Sequence, residues 1–137
     1  MTATRPTTTV LAFDFGLRNV GVATGQAITR TASEVTTVRA RDGVPDWTAV
    51  DAIVREWQPD VLLVGLPLNM DDSVSEMATR AKRFASKLRS RYRLTVELVD
   101  ERLTSFEARS LSDDLDEQHA IAARLIAETF LAALPND

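Results

Sequence analysis

The chain has 137 residues, 45% hydrophobic and 26% charged, with no cysteine and a formal net charge of −4. That length suits one domain with a real core, spanning residues 1–137, and the composition is that of an ordinary soluble protein; the missing cysteine excludes disulfides, thiol nucleophiles and thiolate metal sites. No apolar run reaches the roughly 20 residues of a membrane helix, so no membrane partner is expected. The first nine residues lack the apolar core of a signal peptide, so a cytoplasmic location is expected, with residues 1–6 disordered.

Thr7 to Asp14 reads as a first strand: Val10 to Phe13 are apolar, and the run ends on a carboxylate. Gly16 and Gly21 allow backbone angles or close approaches that a Cβ would obstruct. Val20 to Thr24 reads as a second strand, and Ile28 to Val38, rich in Thr and Val, as a third. The short connections imply an antiparallel meander. Arg41, Asp42, Gly43 and Pro45 read as a loop, and Asp46 as the N-cap of a helix carrying Ala49, Ile53, Val54 and Trp57. Val61 to Val64 is a short continuous apolar run, as expected of a strand covered on both faces. A loop from Gly65 to Asp72 follows, then a capping box, Ser73-x-x-Glu76, and a helix with Met77, Ala81, Phe84, Ala85 and Leu88 inward, ending near Arg91. Leu94 to Val99 reads as the next strand, finishing at Asp100-Glu101. Thr104-x-x-Glu107 opens a further helix to about Leu111. Asp113 or Asp114 caps the last helix, with Ile121, Ala122, Leu125, Ile126, Thr129 and Phe130 as its buried stripe.

The order is βββαβαβαα, an α/β arrangement with one five-stranded mixed sheet covered by helices on both faces. Ligands of such sheets gather at the carboxyl ends of the strands. Asp14, the Gly65–Asp72 loop and Asp100-Glu101 all fall at such ends. An acid ending a buried apolar strand is costly unless something compensates it, be it a metal, a ligand or turn hydrogen bonds. Two carboxylates about 4 Å apart repel by roughly 1 to 4 kcal/mol at effective dielectrics of 80 to 20. Hard divalent cations relieve that repulsion, and a pair of them can clamp both oxygens of a phosphodiester displacement. The blander reading of Asp100 and Glu101 is that they cap the following helix or pair with Arg102. His119, the one histidine, has Asp116 three residues earlier on the same helical face. That pair suits a metal or water activation, and equally a packed side chain. Arg18 and Arg102 are candidates for holding phosphates. Arg80, Arg83 and Lys87 share a helix face that could track a phosphate backbone or be simply solvated.

Taken together, these segments resemble the YqgF/RuvX family of RuvC-like nucleases, within the ribonuclease H-like superfamily. The first motif is Asp14 to Ala23, the second Val64 to Met70, and the third Val99 to Ser105 with Glu107-Ala108. The resemblance implies a ribonuclease H-like fold and a divalent-metal-dependent endonuclease, a hydrolase trimming the 5′ end of precursor 16S ribosomal RNA in ribosome biogenesis. Resolution of Holliday junctions is the alternative, and a nucleic-acid-binding protein with weak or lost catalysis is another. It implies Asp14, Glu101 and His119 as catalytic residues, holding Mg²⁺ or Mn²⁺ with Asp116 as a further ligand. Arg18, Arg102 and Asn69 would bind nucleic acid. Structured RNA, branched DNA and ribosomal precursor particles are the expected partners, and the protein would be a monomer or a homodimer. His119 stands where the family usually has an aspartate, which favours Mn²⁺, since imidazole suits transition metals better than Mg²⁺. Gln26 stands where the family often has another aspartate.

Overall fold

The computed structural model describes residues 8–67, 75–100 and 115–135, with only the backbone described at 115 and 116. The elements are β1 (Thr9–Asp14), β2 (Asn19–Gln26), β3 (Thr31–Arg41), β4 (Val44–Pro45), α1 (Trp47–Trp57), β5 (Val61–Leu66), α2 (Glu76–Tyr92), β6 (Thr95–Asp100) and α3 (Leu115–Ala132). The strands form one sheet in the order β4-β3-β2-β1-β5-β6. β1, β2 and β3 make the expected antiparallel meander, and β5 and β6 extend it in parallel beyond β1.

The expected five strands become six. Gly43, at a φ of 83°, turns the chain back so that Val44 and Pro45 pair with Arg41 and Ala40. Two residues carry no periodicity, so only the hydrogen bonds reveal this strand. The third strand also begins later than expected. Residues 27–30 form a turn closed by the Arg30 amide on the Gln26 carbonyl, and Ile28 is exposed. Arg30 adopts a left-handed φ of 55°, and its guanidinium caps α3 by donating to the carbonyls of Leu131, Leu134 and Pro135.

Alternation along β1 sends its side chains to opposite faces. Leu11, Phe13 and Phe15 join Val20, Val22, Leu62 and Val64 beneath α1 and α2. Phe84 of α2 anchors that side, with ring centres 5.7 Å from Phe13, 5.2 Å from Phe15 and 6.0 Å from Trp47. Asp46 caps α1 as expected, accepting from the amides of Thr48 and Ala49. The cap of α2 is Ser75 rather than Ser73: its hydroxyl accepts from the Ala78 amide and donates to the Pro67 carbonyl. An ionic knot ties α1 to α2. Arg91 donates twice to Asp51, at 2.8 and 2.7 Å, and the Tyr92 hydroxyl donates to the same carboxylate. These bonds hold the Asp51 carboxyl well below the usual carboxylate range and push Arg91 up; burial, then Asp51, pushes the Tyr92 hydroxyl up.

The other face of the sheet belongs to α3. Val10, Ala12, Leu63 and Val99 meet Ile126, Ala127 and Leu131 there. Ala120 and Ala123 are buried too, whereas Thr129, expected inside, is exposed with its hydroxyl on the Leu125 carbonyl. The helix lies on small residues: alternation puts Gly21, Ala23 and Gly25 of β2 on this face. A Cβ on Gly21 would sit 1.9 Å from the His119 carbonyl oxygen. The absence of that atom lets the backbone of α3 rest directly on β2, and alanine rather than threonine is what such a contact takes. The helix expected from Thr104 to about Leu111, and the cap of the last helix expected at Asp113 or Asp114, lie outside the described residues.

Candidate active site

The site grows from the end of β1. Asp14 is the last residue of that strand, shares the α3 face with Val10 and Ala12, and is only 7% exposed. Its neighbour in register on β2 is Gly21, the residue on which α3 rests. The same contact brings the first turns of α3 over the strand end. His119 Nδ1 therefore lies 3.3 Å from Asp14 Oδ2, linking residues 105 positions apart. A carboxylate withdrawn from water to this degree demands a cationic or hydrogen-bonding partner. The imidazole supplies one, with which nitrogen carries the proton left to the tautomer. Gly16 closes the turn after Asp14. A Cβ there would lie 2.5 Å from the Asn19 carbonyl oxygen, and 3.7 Å from His119 Cε1.

Around this pair, Arg18 is exposed in the β1–β2 turn, beside Leu17, whose carbonyl accepts from the Gly43 amide. β6 ends at Asp100, paired in register with Leu66 of β5. Asp100 is thus two strands, about 10 Å, from β1 at the same edge of the sheet. Asp116 lies in the first turn of α3, three residues before His119, and its side chain is outside the described residues. Glu101, Arg102 and Asn69 also lie outside them. Gln26 stands at the far end of β2, accepting from the Thr9 hydroxyl, and takes no part in this site. The structure thus joins two of the expected catalytic residues, Asp14 and His119. Among the described residues, no cluster of three or more His, Asp or Glu is placed to hold a metal ion. A carboxylate oxygen beside an imidazole nitrogen is nonetheless a donor set that Mn²⁺ and related ions accept. The sequence marked Gly21 as a place for a close approach; that the segment approaching is the backbone of α3 at His119 shows only once that helix is in place.

A three-strand antiparallel meander extended by two parallel strands, helices on both faces, and a buried acid ending the first strand define a resolvase-like, ribonuclease H-type α/β protein. Solved structures agree in fold. RuvC of Thermus thermophilus, in complex with a Holliday junction substrate, superposes with a TM-score of 0.55 over 89% of this chain and 91% of that one, at 12% identity. The yeast mitochondrial Holliday junction resolvase Ydc2 gives 0.57 over 95% and 80%, at 8% identity. The chain belongs to the RuvX family, described as Holliday junction resolvase, which it matches over residues 8–133. A relative from Pseudomonas paraeruginosa bearing the name "Putative pre-16S rRNA nuclease" is 46% identical, covering 99% of this chain and all of the other. Relatives of the same name from Saccharophagus degradans and Marinobacter nauticus are 45% and 55% identical, over 89% and 73% of this chain and 92% and 70% of theirs. Among the described residues, no helix is long and apolar enough to cross a membrane.

Proposed function

We propose that this protein is a cytoplasmic, divalent-metal-dependent endonuclease that trims the 5′ end of precursor 16S ribosomal RNA, acting on the RNA alone or within a ribosomal precursor particle. The observation that carries the reading is the buried Asp14 carboxylate with His119 Nδ1 at 3.3 Å. Family membership and the names of the relatives support the chemistry and the RNA substrate. Asp14, Glu101 and His119 would hold the metal, with Asp116 as a further ligand. A bound Mg²⁺ or Mn²⁺ would supply activation of water and stabilisation of the leaving 3′-oxygen.

The chain's own residues do the rest. Asp14, held in a water-poor position, contributes its charge where dielectric screening is weak. With Nδ1 protonated His119 donates to that carboxylate and keeps it oriented; with Nδ1 unprotonated it would instead offer a lone pair to a cation held between the two. Arg18 and Arg102 position phosphates, guanidinium groups being suited to bidentate contact with phosphate oxygens, and Asn69 adds a hydrogen bond.

The test is Asp14→Asn. Loss of an outer-shell partner alone typically costs 10- to 100-fold, so removal of a ligand charge is expected to lower cleavage of a precursor 16S leader transcript by roughly 100-fold or more with Mn²⁺ present. Cleavage at the wild-type rate sinks the assignment. A second reading, junction resolution, is favoured by the family's description and by the fold of the two resolvases. It requires a two-fold dimer to cut a two-fold junction. Faster cleavage of a four-way DNA junction than of the RNA, by a dimeric protein, would replace the first reading with this one.

A further inference from the structure

A groove runs along α2 on the face of the sheet opposite α3, starting one residue from Asp14. Its near part, about 130 Å³, is walled by Phe15, Gly43, Val44, Arg80, Arg83 and Lys87. Beyond Lys87 it widens into a depression of about 480 Å³ beside Trp47, Ser90 and Arg91. The second wall comes from the β3–β4 hairpin and the start of α1, so the sequence of α2 alone shows only a basic helix face. The hairpin is stitched to the turn bearing Arg18, which follows Asp14 in the chain, by the hydrogen bond from the Gly43 amide to the Leu17 carbonyl.

The charges along this groove are unevenly matched. Asp42 also lines the near end; Arg80 lies 3.4 Å from it and 3.8 Å from Glu76, one cation shared by two acids, so the free positive charge lies further along. Arg91 is occupied by Asp51 and lies over the Trp47 ring, 4.9 Å from its centre. Arg83 and Lys87 are exposed, and among the described residues no ion pair involves either. They stand one helical turn apart, about 6 Å along the axis. Two cations at this spacing with no ion-pair partner among the described residues, in an open trough, suit a chain of phosphates rather than a single small anion.

We propose that Arg83 and Lys87 hold the phosphate backbone of the RNA substrate as it leaves the active site along α2. The proposal rests on the nuclease reading above. It is tested by binding of a fluorescein-labelled precursor 16S leader stem, in EDTA to prevent cleavage, with anisotropy measured from 50 to 300 mM KCl. Each lost phosphate contact lowers the slope of log K against log salt by about 0.7 to 0.9, so Arg83→Gln with Lys87→Gln lowers it by about 1.4 to 1.8. At 0.1 M KCl that corresponds to a loss of affinity of about 25- to 60-fold, counted from a 1 M reference where the contacts no longer contribute. Lys82→Gln with Arg93→Gln removes the same charge from positions outside the groove lining, one on α2 and one at its C-cap, and is expected to leave the slope unchanged. Thermal melting followed by circular dichroism verifies that both double variants are folded. Wild-type slope and affinity in the Arg83/Lys87 variant, or an equal loss in the Lys82/Arg93 variant, overturns the groove while wild-type cleavage of the same RNA upholds the nuclease. Failure of the wild type to bind or cut the RNA overturns both.

Discussion

Adding one carbon to Gly21 tests the seating of the site. In Gly21→Ala the new Cβ would start 1.9 Å from the His119 carbonyl oxygen, 2.2 Å from its carbonyl carbon and 2.8 Å from the Ala120 nitrogen. Cβ contacts essentially never fall below 3.0 Å, so helix and strand must part by about 1.1 Å at this point. All three obstructing atoms are backbone, so no side-chain rotation relieves the clash. Overpacking of a buried site costs typically about 1–3 kcal/mol, and the rigid partners put this case at the upper end, about 2–3 kcal/mol. For a chain of this size that is a fall in Tm of roughly 6–15 °C. The same displacement stretches a 3.3 Å His119–Asp14 contact beyond hydrogen-bonding range. The variant is therefore expected to lose cleavage of the leader transcript even at temperatures where circular dichroism shows it folded. Val50→Ala is the companion: it opens a cavity in the core beneath α1, on the opposite side of the sheet, and is expected to lower Tm without that early loss of cleavage. A Gly21→Ala protein with a Tm within about 2 °C of wild type and full cleavage would refute the reasoning, because α3 would not then rest on β2.

Three further outcomes follow from particular contacts. Asp51 is held below its ordinary value of 3.8, so its contribution to stability is complete above that pH and is lost as the pH falls below it; the Tm gap between wild type and Asp51→Asn should be widest near pH 6 and close in acid, as scanning calorimetry at several pH values would show. Arg30→Ala removes a charged cap from three carbonyls at the end of α3 and is expected to cost about 1–2 kcal/mol, read as a lower midpoint in urea. His119→Asp sets two carboxylates about 3.3 Å apart, repelling by roughly 1 to 5 kcal/mol at effective dielectrics of 80 to 20. Its Tm in EDTA should lie below that of wild type, and Mg²⁺ should raise it more than it raises wild type; an equal response to Mg²⁺ in both proteins would remove position 119 from the metal site.

What the sequence shows of this protein depends on how local each cause is. Asp14 is legible because an acid at the end of a hydrophobic run is anomalous over a few residues. Asp46 is legible because a cap acts across one turn. Ser73 misleads for the same reason: Ser75 satisfies the first amides equally well, and only the bond from its hydroxyl to the Pro67 carbonyl, eight residues back, decides between them. The buried face of α3 is harder. Helical spacing alone selects Thr129, which is exposed, because what faces the sheet is set by β2, whose Gly21, Ala23 and Gly25 leave room for a helix backbone and little else. Ala120, Ala123 and Ala127 are inside because their partners are small, a pairing between segments about a hundred residues apart. The basic groove shows the same limit. Arg83 and Lys87 are visible as a pair on one helix face, yet a helix face becomes a channel only when a second wall is supplied, here by a hairpin forty residues earlier. The two features of this chain most specific to function, the His119–Asp14 contact and the walled groove, are both long-range in this sense. Each depends on a glycine, Gly21 or Gly43, whose role is to let another segment come close.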